Sequence, residues 1–217
     1  MPALDKFDLL IFDLDGTLVD SRYDLADAVN FAMEKIGRPQ LSYDDLPPLL
    51  GSGLRYLLEK TAGTTDPMKI EQAKQYFDDY YEQHFTDKTR LYPGVMETLR
   101  ALQSKTKAVY SNKMQYFTDR IAEALGLREQ MDMVQGAQPD TFALKPDPEG
   151  LYRILRKLNT TADKALMIGD STHDLEAGQA AGMKTCAVTY GYRPAEVLEK
   201  YSPDYIIDRF ADLLLIR

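Results

Sequence analysis

Asp8-Leu9-Leu10-Ile11-Phe12-Asp13-Leu14-Asp15-Gly16-Thr17 is the stretch on which the fold turns. Four consecutive apolar residues predict a short buried strand. The run stops at two carboxylates and a glycine. If the strand continued, its alternation would point Asp13 and Asp15 to the same side. Two anions that close repel unless a cation sits between them. Gly16 lets the chain turn there. Carboxylates just past a buried strand are placed to bind a hard cation and to attack an electrophile. An acidic turn with no chemistry has the same composition. A calcium loop does not fit, because its sixth and twelfth positions, counted from Asp13, hold Leu18 and Asp24 where glycine and glutamate are required.

Outward from that stretch, the chain changes grammar twice. Residues 20–90 read as helices only. Ser21 is placed to cap a helix with Leu25, Val29, Ala32, Met33 and Ile36 on one stripe and Gly37 past its end. Ser42 with Asp45 has the spacing of a capping box, soon interrupted by Pro47-Pro48. Gly51-Ser52-Gly53 opens a helix from Leu54 to about Thr61. Asp66-Pro67 opens another, with Ile70, Ala73, Phe77, Tyr80, Tyr81 and Phe85 at helical spacing.

From Leu91 strands and helices alternate. Strands are predicted at Lys107–Tyr110, Met131–Val134, Ala165–Ile168, Thr185–Val188 and Tyr205–Ile207. Helices are predicted around Val95–Leu102, Phe117–Leu125, Leu151–Leu158 and Leu175–Ala181. This pattern implies an α/β fold: a Rossmann-like, mostly parallel sheet flanked by helices, with functional residues beyond the carboxyl ends of the strands. The expected division is a core of residues 1–19 and 91–217 and a small helical cap of residues 20–90, inserted after the first strand.

The predicted strand ends carry Asp13 and Asp15, then Ser111, then Asp170 with Asp174 four residues on; Lys145 precedes a helix. Four carboxylates, a hydroxyl and an ammonium group suit magnesium-assisted phosphoryl chemistry, in which carboxylates hold the ion and cations offset phosphate charge. The net charge of −8 argues against general nucleic-acid binding. No apolar run is long enough to span a membrane, and Met1–Lys6 lacks a signal-peptide pattern, so a cytoplasmic protein is expected. The single cysteine, Cys186, cannot form an internal disulfide and reads as a core thiol.

These residues are where a family resemblance enters. The chain resembles haloacid dehalogenase superfamily phosphatases: Asp13-Leu-Asp15-Gly16-Thr17, the strand ending in Ser111, Lys145-Pro146, and Gly169-Asp170 with Asp174 follow that family's four motifs in order. The resemblance implies Asp13 as nucleophile and Asp15 as acid/base. It implies Mg2+ held by the Asp13 side chain, the Asp15 carbonyl and Asp170, with Thr17 and Asp174 supporting them or orienting Lys145. Ser111, Asn112 and Lys145 would bind phosphate. Read from the residues themselves, Gly53, before a helix N-terminus, and Arg55 are the candidates to meet the rest of the substrate. Asp15 argues against the dehalogenases, which lack it. Leu25, where related sugar phosphomutases usually carry histidine, argues against a mutase. Gly37 to Gly53 and Lys145–Glu149 are similar to phosphoglycolate phosphatases. The implied activity is hydrolysis of a small phosphorylated metabolite by a monomer or weak homodimer. The alternatives are a phosphomutase, a phosphatase of pyrophosphate or nucleotides, and a phosphometabolite-binding protein without turnover.

Other residues receive structural readings. His84 and the tyrosines of the helical block read as surface or packing groups, and His173 as facing solvent or a loop. Arg22 reads as solvated, and Tyr192 and Arg193 as the cleft edge.

Overall fold

The computed structural model describes residues 3–216. Strands β1 (Leu9–Phe12), β4 (Thr106–Met114), β5 (Met133–Ala137), β6 (Ala165–Gly169), β7 (Lys184–Val188) and β8 (Tyr205–Ile207) form one parallel sheet in the order β5-β4-β1-β6-β7-β8. A small antiparallel pair, β2 (Val19–Asp20) and β3 (Arg90–Leu91), brackets the helical block. That block comprises α1 (Arg22–Lys35), α2 (Leu54–Ala62) and α3 (Pro67–His84). Helices α4 (Val95–Ala101), α5 (Gln115–Ala124), α6 (Glu149–Lys157), α7 (Thr172–Ala180) and α8 (Ala195–Glu199) flank the sheet.

The strand order is set by burial. Leu9, Leu10, Ile11 and Phe12 are all fully buried, because β1 has β4 on one side, β6 on the other and helices on both faces. Each such side chain contributes about 1.5–3 kcal/mol relative to exposure. One continuous apolar cluster runs from Leu10 and Phe12 through Val109 and Ile168 to Val29, Leu58 and Phe77. The helical block is therefore packed onto the sheet. Cys186 is part of that cluster, and burial pushes its thiol up to about 12.

Several local expectations are corrected. Strand β1 ends at Phe12, so Asp13 and Asp15 lie on the turn beyond it and their side chains diverge. Strand β4 does not stop at Ser111; it continues to Met114 through a register shift against β5. Strand β5 starts at Met133 and includes Gln135-Gly136. There a Cβ on Gly136 would stand 2.6 Å from Gln115 Cα, so glycine marks the close approach of α5 to the strand. The Ser42–Asp45 bonds form, but only a turn and a 3-10 helix over Pro47–Leu49 follow, since the two prolines prevent an α-helix. Among the described residues no helix is long and apolar enough to cross a membrane.

Candidate active site

The site lies past the carboxyl ends of β1, β4 and β6, where the strand order reverses around β1, the usual ligand position in open α/β sheets. The Asp13 backbone N–H donates to the Ile168 carbonyl at 2.9 Å, which fixes the start of the turn. Gly16 completes it with φ +87°. A Cβ there would stand 2.2 Å from Asp170 Oδ2, so glycine is what lets the Asp170 carboxylate rest on the turn. Thr17 Oγ1 donates to Asp170 Oδ1 at 3.1 Å, and the Tyr192 backbone N–H donates to Asp170 Oδ2 at 2.7 Å.

Lys145 is buried at the centre. Its Nζ donates to Asp13 Oδ1 at 2.8 Å, Asp174 Oδ1 at 2.7 Å and the Tyr110 carbonyl at 2.8 Å, which commits all three protons. Asp174 is positioned by the first turn of α7: its Oδ2 accepts from the Ser171 backbone N–H and hydroxyl, while the Ser171 hydroxyl accepts from the Asp174 N–H, a complete capping box. One oxygen from each of Asp13, Asp170 and Asp174 lies within 4.8 Å of the others. Burial, then the neighbouring Asp174 carboxylate, pushes Asp13 well above the usual range and Asp170 up to about 7. With Asp15, the site holds four carboxylates against the ammonium groups of Lys113 and Lys145, an excess of two negative charges. A hard divalent cation with oxygen ligands matches both the charge and the donor set.

Asp15 is set apart from that cluster. Its Oδ1 accepts a very short hydrogen bond from Ser21 Oγ, and its Oδ2 pairs with Lys113 Nζ at 3.1 Å. Ser21 thus stands at the start of α1 without capping it by its side chain. The contact explains why a helix-start residue is fully buried.

Ser111 is buried at the cavity wall, its Oγ accepting from the Lys113 N–H. Asn112 does something other than the phosphate binding expected of it. Its amide donates to the Gly51 and Lys145 carbonyls, and its oxygen accepts from the Lys145 N–H. The carboxamide joins the Lys145 backbone to the helical block and has no donor left for a ligand. Lys113 was missed as a site residue because the predicted strand stopped short. The signal was available: in a strand that continues past Ser111, residue 113 returns to the same side.

The helical block closes the site. A cavity of about 80 Å³ is lined by Asp13, Asp15, Ser111, Lys113, Lys145 and Asp170 from the core, and by Leu54, Leu57, Phe77 and Tyr81 from the block, with Gly51 and Gly53 between. The loop over residues 47–53 is held by three core side chains: Asn112 on Gly51, His173 Nε2 at 3.3 Å from Ser52 Oγ, and Arg193, whose Nη1 and Nη2 donate to the Pro47 and Leu50 carbonyls at 2.7 Å each. His173 is half-buried against this loop, and its pKa is lowered by burial. Gly53 approaches the core closely: a Cβ would stand 2.9 Å from Leu144 Cδ1. Arg55, expected at the substrate, is exposed and pairs with Glu59 one turn along α2 at 2.8 Å, outside the cavity. Arg22 is not simply solvated: it pairs with Asp20 and lies over the Tyr192 ring. His84 pairs with Asp87 away from the site.

Comparison with known proteins agrees with this geometry. The sequence is 37% identical to the phosphoglycolate phosphatase of Aliivibrio fischeri, with 96% of this chain and 95% of that one covered. It is 34% identical to that of Haemophilus influenzae, with 97% and 98% covered. The structure superposes on that of a predicted phosphoglycolate phosphatase from Haemophilus somnus with a TM-score of 0.88, at 33% identity and 97% coverage of both chains. A haloacid dehalogenase-like hydrolase of Bacteroides fragilis gives a TM-score of 0.89 at 27% identity, covering 95% of this chain and 99% of that one. The sequence model of the haloacid dehalogenase-like hydrolases matches residues 10–188. That span runs from β1 to the last residue of β7 and contains both the acidic cluster and the helical block, so the chain belongs to the haloacid dehalogenase-like hydrolase family.

Proposed function

We propose that this protein is a magnesium-dependent phosphatase acting on a small phosphorylated metabolite of the phosphoglycolate type, through an aspartyl-phosphate. The observation that carries the reading is Lys145 Nζ shared between Asp13 and Asp174, with Asp170 beside them. The names of the relatives support the substrate class. Residues 20–90 act as a cap, and residues 1–19 and 91–217 as the catalytic core.

An Asp13 oxygen attacks phosphorus and the bond to the ester oxygen breaks, leaving the phosphoryl group on Asp13. Asp15, within reach of the leaving side of the cavity, gives its proton to that oxygen and then takes one from the water that cleaves the acyl phosphate. Ser111 orients the transferring group, Lys145 holds the attacking Asp13 carboxylate in place, and positioning with charge stabilisation does most of the work in such a transfer. Asp13, Asp170 and the Asp15 carbonyl would hold Mg2+, which when bound neutralises phosphoryl charge. The cap's leucines and Phe77 keep bulk water from the acyl phosphate. Leu25 lines the cavity where a mutase would carry histidine, which favours release of phosphate over its return to product.

The test is phosphate release from 2-phosphoglycolate with magnesium, after chelation, and in Asp13→Asn. Activity is expected to vanish in chelator and in the variant, with the variant's circular dichroism unchanged. Near-wild-type turnover by Asp13→Asn, or full activity in chelator, refutes the mechanism. An isomerised product in place of free phosphate would identify a mutase.

A further inference from the structure

Resting on the phosphatase reading above, we infer that Lys113, with the hydroxyl of Tyr81, is the subsite for a carboxylate on the substrate. The site would then select phosphate esters whose acid group stands one carbon from the ester oxygen. Lys113 sits in the cavity wall with its side chain only 8% exposed. Its ammonium group has three protons. One goes to Asp15 Oδ2 at 3.1 Å and one to the Tyr81 hydroxyl at 3.1 Å. The third is left for the cavity. The Asp15 carboxylate and the Tyr81 hydroxyl oxygen beside it favour the ammonium form. Tyr81 accepts the Lys113 proton and keeps its own O–H to donate, and its ring also lines the cavity.

Among the described residues lining the cavity, Lys113 is the cation paired with Asp15. Lys145 has every proton committed to Asp13, Asp174 and Tyr110. Arg193 directs one donor from each terminal nitrogen to the Pro47 and Leu50 carbonyls of the covering loop, and it is not paired with Asp15, the acid that must reach the ester oxygen. The facing wall, Leu54, Leu57 and Phe77, cannot receive an anion.

The length of the substrate follows from the Asp15–Lys113 contact. Asp15 must reach the ester oxygen to protonate it. A second oxygen on Lys113 therefore lies within a few ångströms of the first, given ordinary hydrogen-bond lengths of about 3 Å. A carboxylate separated from the ester oxygen by one carbon spans that distance. A longer chain would carry its charge into the leucines.

The experiment compares kcat/KM for 2-phosphoglycolate and for ethyl phosphate, its carboxylate-free counterpart, at saturating magnesium. The wild type should prefer the former by about 10- to 150-fold, the worth of a hydrogen bond to a charged group. Lys113→Met should bring the ratio to within a few-fold of one, whatever it does to both rates through Asp15. Lys113→Arg should keep part of the preference. Binding of glycolate, followed calorimetrically, should be lost in Lys113→Met and in the polar, uncharged Lys113→Gln, which covers a failure of the methionine variant to fold. A wild type that treats the two esters alike while hydrolysing both, or a preference that survives in the uncharged variants, overturns the subsite and leaves the phosphatase reading standing. Hydrolysis of neither ester overturns both.

Discussion

Gly191 tests how tightly the acidic site is built. It lies in the loop after β7, and a Cβ on it would stand 2.2 Å from Asp170 Cβ, 2.5 Å from Asp170 Oδ2 and 2.5 Å from the Gly16 carbonyl oxygen. All three distances are shorter than packed atoms tolerate, and the Gly16 oxygen belongs to the backbone of the first turn. The loop itself is pinned on both sides of the glycine. The Tyr190 hydroxyl donates to the Thr17 carbonyl at 2.8 Å, and the Tyr192 hydroxyl accepts from the Ser21 N–H at 3.0 Å. In Gly191→Ala the Asp170 carboxylate is therefore the part that moves. Overpacking of this kind costs about 1–3 kcal/mol, a fall in Tm of about 2–12 °C for a chain of this size. Because Asp170 is proposed to hold magnesium, displacing it should raise the magnesium needed for half-maximal phosphate release by about 10- to 100-fold. The control is Gly37→Ala. Gly37 has φ +66° and nothing within 4 Å of its would-be Cβ, so that variant carries backbone strain but no clash. It should lower Tm and leave the magnesium titration unchanged. A Gly191→Ala enzyme with a wild-type magnesium titration would refute the placement of Asp170 at the metal.

Two further outcomes follow from the same contacts. Arg193→Ala removes both donors from the Pro47 and Leu50 carbonyls. It should speed proteolytic cleavage within residues 47–53 and raise KM more than it lowers kcat, by about 10-fold for a lost charge-assisted bond; unchanged protection of that loop counts against a holding role. In the metal-free protein, Asp170 is pushed from its ordinary 3.8 up to about 7. Between those values the folded state holds a proton that the unfolded chain has released, so the contribution to stability is full below 3.8 and lost as pH rises through about 7. Tm in chelator should fall from pH 5 to pH 8, and added magnesium should raise it more at pH 8; a magnesium effect larger at pH 5 would overturn this.

The sheet was legible because burial writes itself into composition. Leu9–Phe12 and Ala165–Ile168 are apolar on both faces, as strands covered on both sides must be. The acidic residues were legible because Asp13, Asp15 and Asp170 follow strand ends, where topology alone brings distant residues together, and Asp174 stands in the first turn of the helix after Asp170. Chemistry that depends on satisfaction was hidden. Polar Ser111-Asn112-Lys113 looks like the end of a strand, yet each residue is accommodated in β4 by a specific partner: the Lys113 N–H, Lys145 with Gly51, and Asp15 with Tyr81. Apart from the Lys113 N–H, those partners are 32 to 98 residues away in sequence, and no local pattern announces them. Arg55 failed for the opposite reason. Its spacing to Glu59 offers an intrahelical partner on the solvent face, and the side chain takes it.

Tyr190-Gly191-Tyr192-Arg193 shows what such hidden satisfaction accomplishes. In four residues it reaches the first turn through Thr17, the acidic cluster through Asp170, the start of the helical block through Ser21, and the covering loop through Pro47 and Leu50. The same Ser21 whose N–H meets Tyr192 sends its hydroxyl to Asp15. A shift of this segment cannot disturb the helical block without also disturbing Asp170 and the support of Asp15. Packed interfaces of this kind are bistable rather than continuously deformable. Seating of the loop over residues 47–53 and correct placement of both aspartates therefore belong to one arrangement. The strand ends of the sheet supply the acidic groups, and this segment ties their geometry to the helical block being in place.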